Sequence, residues 1–203
     1  MGTAPGFVKL VKAGFVLMDA TGAIQKIIAF QYNPETLLRR LVASTATFAG
    51  TGLGSAGVAQ ATGVAPVVAP VPVESVSFTL SLDAADKLER GDAVTQQNGL
   101  LPMTSALELL LTPPPGALTI WVSGSRRIVP VRITELVFNE QAFDPKLNPI
   151  RADVSVQLQV LKDTDFPPNS RGRAIWDAHY AQLQQLAKLL DAGTLAALGL
   201  SGI

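Results

Sequence analysis

The sequence predicts a mainly β protein with helices (α+β): an antiparallel β-barrel or sandwich with one internal helix and an amphipathic helix near the C-terminal end. Three stretches carry this. In Glu74–Leu82, Val76, Phe78, Leu80 and Leu82 alternate with Ser75, Ser77, Thr79 and Ser81. In Asp153–Val160, Val154, Val156, Leu158 and Val160 alternate with Asp153, Ser155, Gln157 and Gln159. A period of two over that length means a strand with one buried and one wet or partner-facing side. In Arg173–Leu190, Trp176, Tyr180, Leu183, Ala187 and Leu190 recur at spacings of three and four, which is the stripe of an amphipathic helix.

The remaining elements follow in order. Phe7–Met18 and Ala23–Gln31 read as strands joined by the turn Asp19-Ala20-Thr21-Gly22. Pro34 ends the second strand and is placed to open a short helical turn through Thr36-Leu37-Leu38. Residues 48–72 are mostly Gly, Ala, Thr, Val and Pro, without charge, and read as an extended loop inserted between strands. Asp83-Ala84-Ala85-Asp86 ends the Glu74–Leu82 strand, and a polar stretch leads to a helix with Thr104 as its N-cap and Leu107, Leu110 and Leu111 along one side. Pro113, Pro114 and Pro115 stop it. Leu118–Val122 is a strand whose alternation puts Trp121 on the outer side, leaving open a core role or an interface anchor. After the turn Gly124-Ser125-Arg126-Arg127, Ile128–Phe138 is a longer strand whose inward parity shifts around Glu135, the mark of a bulge. Phe143–Pro149 is a shaped loop, because its two prolines lack backbone donors and favour extended geometry before them. Pro167, Pro168 and Asn169 close the β region, and Gly193 ends the terminal helix ahead of a weak turn at Leu195–Leu198. The organisation is one β domain, residues 1–168, with a helical extension, residues 169–203.

Composition narrows the function. Sixteen Lys and Arg balance 16 Asp and Glu, which disfavours nucleic acid or an anionic membrane surface as the main partner. With 48% hydrophobic residues and only 16% charged ones, the chain is expected to bury surface in neighbours as part of an obligate assembly. It has no cysteine, hence no disulfide and no thiolate metal site. No signal-peptide pattern opens it and no apolar run reaches a membrane span, so cytoplasmic synthesis without membrane insertion is expected.

Candidate chemistry is sparse, and neither a catalytic site, a metal nor a cofactor is expected. His179 is the single histidine and the one candidate base for a nucleophilic dyad; beside Trp176 and Tyr180 it reads as a packing or rim residue. Asp83, Asp86 and Glu89 invite a metal or acid–base reading but lack the glycine and further oxygen ligands of a calcium loop, and read as a capping, solvated acidic turn. Gly50-Thr51-Gly52-Leu53-Gly54 opens no helix, as a phosphate loop must. Arg126-Arg127 reads as a solvated or paired turn.

Five segments, in order, resemble the tube-protein domain of contractile injection systems, the phage-tail-like particles of bacteria. They are Phe30-Gln31-Tyr32-Asn33-Pro34-Glu35-Thr36-Leu37, Phe78-Thr79-Leu80-Ser81-Leu82-Asp83, Pro102 with the Leu107–Leu111 helix, Pro114-Pro115 before Leu118-Thr119-Ile120-Trp121, and Phe143 with Leu147-Asn148-Pro149-Ile150-Arg151-Ala152. The resemblance covers roughly residues 7–162; Val122 stands where many members have glycine after the Trp. It implies a tail-tube-like fold packed as a ring, hexameric in the family, around a central channel. Relatives at the baseplate end join the spike hub to the inner tube, and many carry a LysM module that this sequence does not show. It further implies partners: further copies of the chain, the spike hub, the inner tube protein and other baseplate proteins, within a phage-tail-like particle. The interface residues expected on that basis are Phe143, Asn148, Pro149 and Arg151 at the loop, and Trp176 and Tyr180 on the tail. The alternatives are a tube subunit proper, or a small carboxylate-based metal- or carbohydrate-binding protein using Asp83, Asp86 and Glu89.

Overall fold

The computed structural model describes residues 11–43 and 72–190. Within them lie seven strands, β1 (Gly14–Met18), β2 (Ile24–Ala29), β3 (Leu37–Val42), β4 (Val73–Asp83), β5 (Leu118–Val122), β6 (Ile128–Phe143) and β7 (Pro149–Val160). Four helices accompany them, α1 (Ala85–Glu89), α2 (Ala93–Asn98), α3 (Leu101–Glu108) and α4 (Arg171–Ala187). The strands form one sheet in the order β2-β1-β5-β6-β7-β4-β3. Every neighbouring pair is antiparallel.

The two alternating stretches are the spine of this sheet. β4 and β7 pair from Glu74↔Val160 to Asp83↔Arg151, so their apolar residues share one face. Val76, Phe78, Leu80, Leu82, Val154, Val156, Leu158 and Val160 are all buried. The parity shift on β6 is a bulge between Ile133 and Glu135, which keeps Ile133 opposite Leu158 and Leu136 opposite Val156. β6 then runs on to Phe143, five residues beyond the predicted end, as a long hairpin with β7.

The sheet is strongly curled. β5 and β4 are three strand positions apart, about 14 Å if flat at ~4.8 Å per strand. Yet the rings of Trp121 (β5) and Phe78 (β4) lie 5.7 Å apart. Phe15 of β1, one position further, stacks on Phe78 at 6.5 Å, and Phe30 meets Phe15 at 5.2 Å and Phe78 at 5.7 Å. These four aromatics fill the hollow of an open, barrel-like curl. β2 and β3 are its two edges, so the described residues form neither a closed barrel nor a two-sheet sandwich.

Side-chain amides take over where pairing stops. The Gln31 amide donates to the Asp83 carbonyl at 2.8 Å, and the Asp83 N–H donates back to Gln31 Oε1 at 2.9 Å. Two residues on, Asn33 accepts from the Ala13 N–H and donates to the Val11 carbonyl, both at 2.9 Å. The Phe-Gln-Tyr-Asn segment thus puts Phe30 in the core while its two amides mimic missing strand partners on either side.

Several expectations are corrected. Thr36–Leu38 does not open a helix: Leu37–Val42 pairs with β4 as edge strand β3. The polar stretch after β4 holds two short helices, α1 and α2, so there are three internal helices before β5 rather than one. Thr104 lies inside α3, its hydroxyl bonded to the Leu101 carbonyl at 3.2 Å, and Leu100 is the N-cap. Trp121 is 1% exposed, a core residue, because β5 is covered on both faces and Thr119 and Ile120 are buried with it. Residues 48–71 of the loop expected at 48–72, and the turn at Leu195–Leu198, lie outside the described residues.

The α1–α3 run is tied back to the start of β7. Asp83 accepts from the Ala85 N–H at 2.8 Å, Asp92 caps α2 through the Thr95 N–H at 2.8 Å, and the Leu100 N–H donates to the Pro149 carbonyl at 2.9 Å. Gly99 makes this last contact fit. Its φ is +55°, and a Cβ there would lie 2.4 Å from the Pro149 carbonyl oxygen.

Candidate interaction surfaces

Apolar side chains are exposed at the tip of the β6–β7 hairpin, on the outer side of α4 and on the two sheet edges, and also along α2, α3 and the residues just after it, at Val94, Leu101, Leu109 and Leu111.

The hairpin tip is held by Asp144. Its carboxylate accepts from the Lys146 and Asn148 N–H groups at 2.8 Å and from the Asn148 side-chain amide at 2.8 Å. Those bonds, the Asn148 amide first, hold its pKa below the usual carboxylate range. Leu147 takes a positive φ of 65° and is 79% exposed, and Phe143 is half exposed. Of the residues expected to face a partner here, Phe143 does present its ring. Asn148 instead bonds Asp144 and, at 3.2 Å, the Gln97 carbonyl, while Pro149 is buried beside Gly99 and Leu100. Arg151 is exposed but engaged: its guanidinium donates to Asp83 Oδ2 at 2.9 and 3.2 Å. The Ala85 N–H and Arg151 together keep the Asp83 carboxyl below its ordinary range, against a smaller effect of burial. Asp83 is therefore a structural anchor, and no cluster of three His, Cys, Asp or Glu suited to a metal occurs among the described residues.

α4 starts at Ser170, whose hydroxyl accepts from the Arg173 N–H at 3.3 Å. The helix packs on β6, with Trp176 against the core. Its inward face is turned by about one residue from the predicted stripe: Gly172 and His179 are buried, Ile175, Trp176, Gln182 and Leu186 are half-buried, and Tyr180 is half exposed. Gly172 sets this rotation, since a Cβ there would lie 2.4 Å from the Phe166 ring. Tyr180 stacks on Trp176 at 6.3 Å and, with Leu183, faces outward. Trp176 is thus mainly a packing residue and Tyr180 a surface one.

The sheet edges were not among the expected sites. On β3, Leu38 is 69% exposed, with Leu41 and Val42 also exposed; on β2, Ile24 and Ile27 are exposed. β3 alone was hard to read as a strand, since Leu37-Leu38-Arg39-Arg40-Leu41-Val42 runs in pairs of like residues, not with a period of two. Its inward Arg39 reaches the buried Glu74 of β4, with Nη2 to Oε2 at 3.1 Å, and that bond raises the Arg39 pKa.

A cavity of about 610 Å³ lies between the β1–β2 turn, the Pro113–Leu118 segment and the start of α4. Of its charged lining residues, Asp19 is spent on its own turn, accepting from the Thr21 and Ala23 N–H groups. No described helix is long and apolar enough to cross a membrane. The geometry defines a mainly antiparallel β, α+β protein whose sheet, among the described residues, ends on β2 and β3. No protein-family model and no curated protein matches the sequence.

Proposed function

We propose that this chain is a structural subunit of a bacterial contractile injection system, forming a six-membered ring at the baseplate that joins the spike hub to the inner tube and templates tube assembly. The reading is supported by the segment order of the sequence and by one geometric feature above all, two edge strands at opposite ends of a single curled sheet, each with no second strand partner among the described residues. An exposed apolar edge is a template for strand pairing and is normally blunted in a monomer. Here β2 and β3 expose Ile24, Ile27, Leu38, Leu41 and Val42, with one exposed charge on each strand, Lys26 and Arg40. Two different edges on one chain suit a head-to-tail ring, in which β2 of one copy meets β3 of the next. The exposed hairpin tip and the outer face of α4 remain for other baseplate proteins, and the role is mechanical rather than catalytic.

The test is the double change Leu38→Lys with Leu41→Lys. Both residues are exposed, so the monomer is expected to fold with unchanged near-UV circular dichroism. Native mass spectrometry should show ring species for the parent chain and monomer for the variant, with loss of particle assembly in cells. Rings at parental abundance in the folded variant would refute edge pairing.

A further inference from the structure

We propose that His179 makes the docking of α4 on the sheet sensitive to pH, so that mild acid loosens the helix and uncovers the Trp176 face. His179 is the only histidine of the chain, sits at the middle of the inward face of α4, and is 7% exposed. Its ring lies 6.1 Å from that of Trp176, and its Nδ1 is buried without a hydrogen-bond partner. A neutral imidazole tolerates such a site as a mostly apolar body, whereas an imidazolium there has two donors to satisfy and a charge to solvate.

Burial favours the neutral form, and the surrounding charges act in both directions. The groups that act on His179 are Glu74 of β4, Arg39 of β3 and Arg127 of the β5–β6 turn. Glu74, the one anion among them, is already held by both nitrogens of the Arg39 fork. On α4 itself Arg173 lies 3.7 Å from Asp177, and it also lies 3.6 Å from Asp163 in the turn before the helix. Arg132 and Glu135 of β6 are exposed, and Glu135 is bonded by Gln157. Burial therefore lowers the imidazole pKa, with Glu74 opposing and the two arginines adding to the effect. A docked pKa below the free value of about 6.5 gives docking that is full above that pH and is progressively lost as pH falls toward the docked value.

Amide hydrogen exchange on the full-length chain tests this, with rates corrected for the intrinsic effect of pH. Between pH 7.5 and 5.5 the protection of the α4 amides should fall several-fold, up to about tenfold, while that of β7 stays unchanged. In His179→Phe and His179→Gln, β7 protection reports that the sheet is folded, and α4 protection should be the same at both pH values. The single Hε1 resonance of the parent chain should titrate below pH 6.5. Equal α4 protection at both pH values in the parent, the same loss in folded variants, or a titration at or above 6.5 would each overturn the proposal.

Discussion

Trp121→Ala is expected to lower stability by about 3–5 kcal/mol, the usual cost of deleting a large buried aromatic side chain. The indole is 1% exposed and stacks on Phe78 at 5.7 Å, across a gap that three strand positions would hold open in a flat sheet. It is therefore one of the side chains that keep the curl, and its loss removes packing on strands far apart in sheet order. Phe15 and Phe30 reach Phe78 as well, so the cavity is walled by residues that cannot easily collapse into it. The Arg127 guanidinium, 5.7 Å over the indole, would lose its ring partner. At roughly 2–4 °C per kcal/mol for a domain of this size, the thermal midpoint should fall by about 6–20 °C in scanning calorimetry. A fall of less than about 2 °C would mean that the aromatic cluster does not hold the sheet together.

Gly99→Ala is expected to cost on the order of 3 kcal/mol, although it adds a single methyl group. Two effects combine. The φ of +55° disfavours any residue with a Cβ, and the new methyl would lie 2.4 Å from a backbone carbonyl, which has no side-chain freedom with which to move away. That carbonyl, of Pro149, accepts the Leu100 N–H at the start of α3. Strain therefore passes to both the helix run and the root of the β6–β7 hairpin. Chemical denaturation should show a lower midpoint at an unchanged slope. Gly124→Ala is the control for backbone strain alone, since its φ is +73° with nothing within 4 Å of the added atom. Equal losses in the two variants would show that close packing at Gly99 contributes nothing.

What could be read in the sequence follows from how strongly each element is patterned. β4 and β7 were plain because alternation over their length matches the face they bury, and the β6 bulge was visible as a slip in the same pattern. β3 was missed because its paired leucines and arginines carry no period of two. α1 and α2 were missed because helices of five and six residues are too short to show one, although Asp92 before Thr95 and Gly99 at the far end mark a capped helix. The α4 stripe was rotated because Trp176 is shared by two candidate faces. Counting apolar residues favours Tyr180, whereas the close approach at Gly172 selects His179. At the hairpin, Asn148 and Pro149 look like surface loop residues in sequence, since Gln97 and Leu100, about fifty residues earlier, meet them only through folding. Nothing local marks β2 and β3 as the edges of the described sheet; that emerges from the strand order.

A single ring joining spike hub and tube fixes the copy number of this chain in the particle. Sheathed particles purified from the source cells and checked by negative-stain microscopy would be quantified by mass spectrometry against their own tube and sheath proteins. The expected result is about one six-membered ring of this chain per particle, far below tube and sheath. Abundance equal to that of the tube protein would make it a tube subunit instead, and absence from intact particles would contradict the injection-system reading altogether.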